Sequence, residues 1–360
     1  MALTTVRPQG MGFNTGRRNL IINGAMQVSQ RGTSFATVGT EYTLDRFQAQ
    51  NSSLGAFTVT QSSTAPDGFA KSLKWDCTTA DASPAAGDFA GLNYRIEGQD
   101  LQQLKKGTSG ALSTTVSFWV RSNKTGTYIL EIVDADNSRN IHKAYTISSA
   151  DTWEHKELTF AGDTTGTLTN DNGLSMYLRW YLGAGSTYTS GTLATDWQAN
   201  VNADRAVGQV NLADSTSNEW YITGVQLELG TNASDFEHRS YGEELQLCKR
   251  YFQSWDNTAS DATSNRTIGG GVWYTATQIL ATFPFEVEMR AAPTFSTSAT
   301  DSVTAYGGGW AEQRVGGNGL DTIGTKCARL NFTVGSRTAG HGALVQRQNN
   351  GSTWTLDAEL

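Results

Sequence analysis

The side chains best suited to chemistry in this sequence are its rings and a few acidic clusters. Trp273, Tyr274, Tyr306, Trp310 and Trp354 fall in the last third of the chain. Rings beside Asn, Asp or Arg are what sugar recognition requires, because a ring stacks on the apolar face of a pyranose while polar neighbours bond its hydroxyls. A domain needs several aromatics merely to fold, so these five are candidates for ligand contact and not a motif. Glu312 and Asp321 are carboxylates that could in principle hydrolyse a glycoside, a reaction that needs two such groups at a set separation; closeness in sequence does not establish that geometry. Asp134, Asp136 and Asn137, in VDADNSRN, have the acidic spacing of a calcium loop. The Gly and distal Glu that complete such a loop are missing, and a hairpin turn is the better reading.

Other catalytic patterns are absent. His142, His155, His238 and His341 stand in unrelated contexts, without a His-Glu-x-x-His arrangement. Gly-x-Ser-x-Gly does not occur, and the Gly-Gly-Gly runs at 269–271 and 307–309 precede neither Lys-Ser nor Lys-Thr, so they read as turns and not phosphate loops. Cys77, Cys248 and Cys327 are odd in number and far apart, which fits neither a disulfide framework nor a zinc site. The expectation is a non-enzymatic protein with no cofactor and no metal. A net charge of -7 argues against a nucleic-acid partner. No stretch approaches the roughly 20 apolar residues of a membrane span, and MALTTVRPQGMGFNTGRRNL lacks the apolar core of an export signal.

The elements that must position these groups are strands. Gly is 38 residues of 360 against 5 Pro, only 17% of residues are charged, and Trp, Tyr and Phe number 10, 12 and 14. That is a turn-rich chain with ample core material, hence all-β and not disordered. Period-two alternation at Phe57–Thr60, Thr115–Arg121 and Tyr128–Val133, bounded by Asn-Lys-Thr-Gly or Asp-Ala-Asp-Asn, predicts antiparallel strands and their turns. Lys156–Phe160, Ser175–Tyr181 and Trp220–Leu229 are further strands. One helix is predicted over Tyr241–Ser254, with Ser240 as its cap, Glu243 and Glu244 at its positive end and Lys249 and Arg250 at its negative end. Leu245, Cys248, Tyr251 and Phe252 form its apolar stripe, which either packs on its own sandwich or lines a threefold axis. The layout is then an arm over residues 1–19, a jelly-roll sandwich over 20–239, a linker helix over 240–255 and a smaller C-terminal β-sandwich over 256–360. The arm, with Arg7, Arg17 and Arg18, is either a frayed terminus or a peptide that orders on docking.

Five segments carry a family resemblance: NLIINGAMQVSQRGTSF, YTLDRFQA, VSFWVRSNKTGTY, DTWEHKELTF and WYITGVQLELGTNASDFEHRSYGEELQLCKRYFQ. Together they resemble a domain found in phage tail-fibre and other tail proteins, in that family's order from about Asn19 to Gln253. The resemblance implies a jelly roll similar to carbohydrate-binding modules. It also implies a virion protein assembled in a host cytoplasm as a homotrimer, held to other virion proteins by its arm and bound to a host surface glycan. A capsid or baseplate decoration protein without receptor activity is the alternative, and a polysaccharide depolymerase a more distant one. Calcium-binding relatives of such modules carry carboxylates where this chain has Gln27 and Thr223-Gly224, which a hard cation disfavours. Trp119 and Trp153 are expected to anchor the core, and Asn23-Gly24 and Gly224 to mark bends. Asp45-Arg46 is expected as a surface pair or a buried ion pair at a strand end.

Overall fold

A computed structural model of the chain describes residues 18–256, 266–298, 303–307, 310–313, 316–334, 337–347 and 353–360. It divides into two compact units, the first running to Glu244 and including Leu360, the second spanning Leu245–Glu359. The first unit contains β1 (Ser34–Phe35), β2 (Thr40–Tyr42), β3 (Phe47–Ser52), β4 (Ala56–Ser62), β5 (Ser72–Thr79), β6 (Phe89–Glu97) and β7 (Thr114–Ser122). After these come β8 (Gly126–Asp134), β9 (Arg139–Ile147), β10 (Glu154–Phe160), β11 (Leu174–Ala184), the short helix α1 (Ser186–Thr189), β12 (Gln198–Ala199) and β13 (Glu219–Leu229). They pair into a six-stranded sheet, β1-β4-β5-β13-β7-β10, and a seven-stranded sheet, β12-β9-β8-β11-β6-β3-β2. The result is a jelly-roll sandwich whose core lies between the two sheets.

Alternation decides what fills that core, because successive strand side chains point to opposite faces. On β7, Val116, Phe118 and Val120 are fully buried in the core cluster. Trp119 therefore faces the other way and is only half-buried, as is Trp153 just before β10. The expected core role of these two tryptophans is corrected accordingly: the core indoles are Trp75, Trp180 and Trp220. Asp45 and Arg46 are both buried, but each has its own partners. The Asp45 carboxylate accepts from Gln30 N and Gln30 Nε2 at 2.6 Å each, and Arg46 donates to the Arg95 carbonyl at 2.6 Å. Asn23 does turn the chain, at φ 62; its side chain receives Val28 N at 2.9 Å and donates to the carbonyls of Val28 and Asp45 at 2.8 and 3.0 Å.

One strand carries a charge where its neighbours are apolar. Glu131, in the YILEIVD run of β8, is fully buried. Arg205 grips it with Nε and an Nη at 2.7 and 2.8 Å, Tyr181 Oη donates at 3.2 Å, and His142 Nε2 and Asn140 Nδ2 stand 3.2 Å away. Burial alone would push this carboxyl up. The His142 hydrogen bond and the Arg205 and Arg179 charges more than reverse that and hold it well below the usual carboxylate range. Arg205 belongs to the long crossover between α1 and β13, so the ion cluster fastens that crossover to the sheet. Glu131→Ala should destabilise the first unit by about 3–5 kcal/mol in urea titration, because it leaves buried cations unmatched. A carboxyl depressed in the folded state contributes stability that is complete above its ordinary value of 4.5 and is lost as pH falls. Urea midpoints should accordingly drop below about pH 4.5, and Glu131→Gln should show a shallower acid slope.

In the second unit the strands are β14 (Phe252–Asp256), β15 (Arg266–Trp273), β16 (Gln278–Pro284), β17 (Thr294–Thr297) and β18 (Val303–Gly307). The remainder are β19 (Trp310–Gln313), β20 (Gly316–Asp321), β21 (Cys327–Thr333), β22 (Gly342–Arg347) and β23 (Thr353–Asp357). A three-stranded sheet, β14-β23-β17, packs on a seven-stranded sheet, β19-β18-β22-β15-β16-β21-β20, over one apolar cluster. The helix α2 (Tyr241–Lys249) is shorter than predicted. Ser240 and Glu243 form its capping box: Ser240 Oγ donates to the Glu243 carboxylate at 2.8 Å and accepts from Glu243 N at 3.3 Å. It stops at Lys249 because Gln253 Nε2 donates to the Lys249 carbonyl at 3.1 Å while Phe252–Asp256 pairs with β23.

Candidate functional site

Of the five candidate rings, two are structural. Trp273 and Trp354 are 1% exposed, and Trp354 packs edge-on against Phe283 and Phe295 at 5.5 and 5.4 Å. Neither can meet a ligand. The Trp310 side chain lies outside the described residues. Tyr274, 64% exposed, and the half-buried Tyr306 remain. Tyr306 stands on the outer face of the seven-stranded sheet, since Ala305 beside it points into the core, and Tyr274 follows the core residue Trp273 in the turn after β15.

Register extends that face into a surface. Tyr306 lies opposite Leu344, and Leu344 opposite Gly270. One step from the Gly271–Ala281 pair, Gly270 stands across from Thr282; Thr282 is opposite Arg329, and Arg329 opposite Asp321. The middle of this row is a shallow cleft of about 380 Å³ lined by residues of β15 and β16, Gly270–Val272 and Leu280–Thr282, and by Arg329. Gly270 has no atom within 4 Å of where a Cβ would sit, so the missing side chain leaves open room above the sheet. Val272 and Leu344, 40% and 43% exposed, present apolar surface beside it.

The polar side chains beside it bond one another. Arg329 donates from Nε and an Nη to the two Asp321 oxygens at 2.6 and 3.0 Å. Asn331 Nδ2 reaches Asp321 at 2.8 Å, and Gln278 Nε2 reaches Asn331 Oδ1 at 2.9 Å. The Arg329 hydrogen bonds hold the Asp321 carboxyl below its ordinary range, and the same bonds, with Tyr274 nearby, raise the guanidinium. Charge is balanced within the pair. Residue type points to Tyr274 and Tyr306 but not to Thr282, Arg329, Asn331 or Leu344 as their neighbours. The available signal was the alternation in CARLNFT, whose Arg and Asn fall on the face opposite Ala328, Leu330 and Phe332.

Several other expectations resolve here. Glu312 on β19 and Asp321 on β20 lie on the two edge strands of the sheet, with five strands between them. At about 4.8 Å per strand spacing they are separated by roughly 29 Å along the sheet, against the roughly 5–10 Å that glycoside hydrolysis uses. The Asp134 cluster forms the β8–β9 hairpin turn: Asp134 takes the Asn137 N–H at 3.0 Å and pairs with Lys106, while Asp136 accepts from Thr169 N at 2.9 Å. Among the described residues no group of three or more His, Cys, Asp or Glu is placed to hold a metal ion. The stripe proposed for a threefold axis is largely unavailable, because Cys248, Tyr251 and Phe252 are 0%, 1% and 4% exposed within one chain. Only Leu245 is half-exposed. Arg7 and Arg17 lie outside the described residues, and Arg18 N donates to Glu237 at 2.8 Å, tying its backbone to the first unit.

No family model matches the chain, and no curated protein does. Solved structures with some likeness include the enzymatically active domain of bacteriophage CBA120 tailspike protein 4, at 13% identity and TM-score 0.31 over 59% of this chain and 21% of that one. A family 11 carbohydrate-binding module of a Clostridium thermocellum cellulosomal cellulase is 10% identical, at TM-score 0.28, over 55% of this chain and 97% of that one. Xylanase 10B modules of the same organism, complexed with xylohexaose, are 12% identical at TM-score 0.32 over 61% of this chain and 30% of that one. The chain thus spans about a fifth of the tailspike chain's length. At such scores the fold assignment rests on the strands and their pairing.

Cys327 is exposed while Cys77 and Cys248 are buried, and on β21 it shares a face with Arg329. Maleimide should therefore label one thiol per native chain and three after denaturation, as counted by mass spectrometry.

Proposed function

We propose that the chain is a non-enzymatic phage virion protein of the fibre kind, which binds a host surface glycan through the outer face of the second unit's seven-stranded sheet. The observation that carries this reading is the meeting of exposed apolar surface and hydrogen-bonded polar side chains on one sheet face, around a cleft that Arg329 lines. Tyr274, Val272 and Leu344 supply surface on which a sugar ring can lie, and the Gln278–Asn331–Asp321–Arg329 ladder supplies donors and acceptors already held in place. Preorganised polar groups lose little entropy on binding. Because Arg329 and Asp321 neutralise each other, the cleft suits an uncharged sugar better than an acidic one. Attachment to the particle through residues 1–19 and assembly as a homotrimer belong to the same proposal, supported by the five-segment resemblance; the threefold contact must then use surfaces other than the Cys248 stripe.

A glycan array probed with the full-length protein tests the reading. Binding without release of shortened products is expected, and Arg329→Ala should weaken it by at least about tenfold, the loss of one charge-assisted contact. A fluorophore on Cys327 should respond to the glycan that the array selects. Product release would mark a depolymerase. If no glycan binds, and added protein does not compete with phage adsorption, the chain is a decoration protein. Light scattering reporting a monomer at micromolar concentration would remove the trimer.

A further inference from the structure

We infer that the gap left by Gly270 in the outer face of the second unit's seven-stranded sheet is the seat of an acetamido group, so that the cleft selects a neutral 2-acetamido sugar. The inference rests on the reading of that cleft as a glycan site and adds what the sugar must carry. A glycine inside a strand weakens it and calls for a reason. At Gly271 the reason is packing: a Cβ there would come within 2.9 Å of the Leu280 carbonyl oxygen, 3.1 Å of Ala281 Cβ and 3.2 Å of Val345 Cγ2. Gly307 is alike, since its Cβ would meet the Trp273 ring at 2.5 Å. Gly270 differs from both. Its φ is not positive, and no atom stands within 4 Å of where its Cβ would be. The fold would accept a valine there, and the strand would gain from it. What the bare backbone provides is close approach by something outside the fold.

The neighbours of the gap define its occupant. Across β22, β15, β16 and β21 the outward positions run Leu344, Gly270, Thr282 and Arg329. Val272, two residues along β15 from Gly270, stands on the same face. One side of the gap is therefore apolar, with Leu344 43% and Val272 40% exposed, and the other is polar, with Thr282 and Arg329 both exposed. Arg329 commits Nε and one Nη to Asp321 and has further N–H donors to offer. A hydroxyl in the gap would set a polar group against Leu344 and Val272, and a bare methyl would leave Thr282 and Arg329 without a partner. An acetamido group suits both sides, because its methyl lies on the apolar pair while its carbonyl oxygen accepts from Thr282 or Arg329. The balanced Arg329–Asp321 pair adds no net charge, so the sugar that brings the amide is neutral.

Immobilised multivalent conjugates of N-acetylglucosamine, N-acetylgalactosamine and N-acetylmannosamine, in both anomers, decide the matter when titrated with the full-length protein beside the same conjugates of glucose, galactose and mannose. At least one acetamido conjugate should bind at least about tenfold more tightly than its 2-hydroxy counterpart. Gly270→Val should erase that preference without lowering the melting temperature, because the new side chain fills the gap and suits a strand. Leu344→Ser, which leaves the gap open and removes its apolar side, should reduce the preference several-fold, and it decides the question if the valine variant fails to fold. Equal binding of acetamido and 2-hydroxy sugars, or an undiminished preference in folded Gly270→Val protein, overturns the inference. If none of these conjugates binds but the glycan array selects a ligand that Arg329→Ala weakens, the acetamido seat is wrong and the cleft remains a glycan site. If the array selects nothing, both fall.

Discussion

A strand in a sandwich gives alternate residues to the core, and the faces available for function are what remains. This two-residue constraint governs both units. On β7 it buries Phe118 and turns Trp119 outward. On β21 it sends Ala328, Leu330 and Phe332 inward and leaves Arg329 and Asn331 outside. A shift of one residue in either register would exchange the two sets and lose the core. The outer faces are therefore fixed as firmly as the interior, without a separate element to build them. Recognition groups placed there inherit the rigidity of the sheet.

The first unit needs a second device because its crossover between α1 and β13 is long and carries little regular structure. Glu131 supplies it. A lone carboxylate inside a sheet is unfavourable unless matched, and Arg205, Arg179, His142, Asn140 and Tyr181 surround it. The cluster specifies where the crossover lies more than it adds net stability, since a well-packed apolar set could replace it at little cost. Lys106 does similar work at the end of the same strand, β8. Its ammonium pairs with Asp134, lies 3.0 Å from Asp163 and donates to the carbonyls of Thr165 and Gly166 at 2.9 and 3.0 Å. Both clusters hold loops that alternation alone would leave free.

Strands were legible in the sequence because short stretches rich in β-branched and aromatic residues are bounded by turn residues; Tyr128–Val133 and Trp220–Leu229 fall inside β8 and β13 with little change at their ends. Which face a ring occupies was less legible. Trp119 and Trp273 each sit in an apolar stretch, and only the pairing register tells that one is half-exposed and the other a core residue. The helix is shorter than its apolar pattern suggests, because Tyr251 and Phe252 continue the stripe of α2 while the partner strand β23, a hundred residues later in the chain, pairs with the backbone from Phe252 onward. The cleft was half visible. Tyr274 and Tyr306 announce themselves by type, but Arg329, Asn331 and Leu344 reach it from strands distant in sequence, and nothing local marks them.

The state of the carboxyls bears on what such surfaces can do. A general acid needs a carboxyl held up in pKa and within reach of a substrate. Glu131, Glu154, Asp163, Glu219 and Asp321 are all shifted the other way, because hydrogen bonds and cations more than offset the burial that would raise them. Asp45 is pushed up by burial, yet it is fully enclosed and both its oxygens are taken by Gln30. Carboxylates matched in this way are stable acceptors and poor proton donors. On an open sheet face, as at Asp321, such a carboxylate is a standing acceptor already engaged by its neighbours.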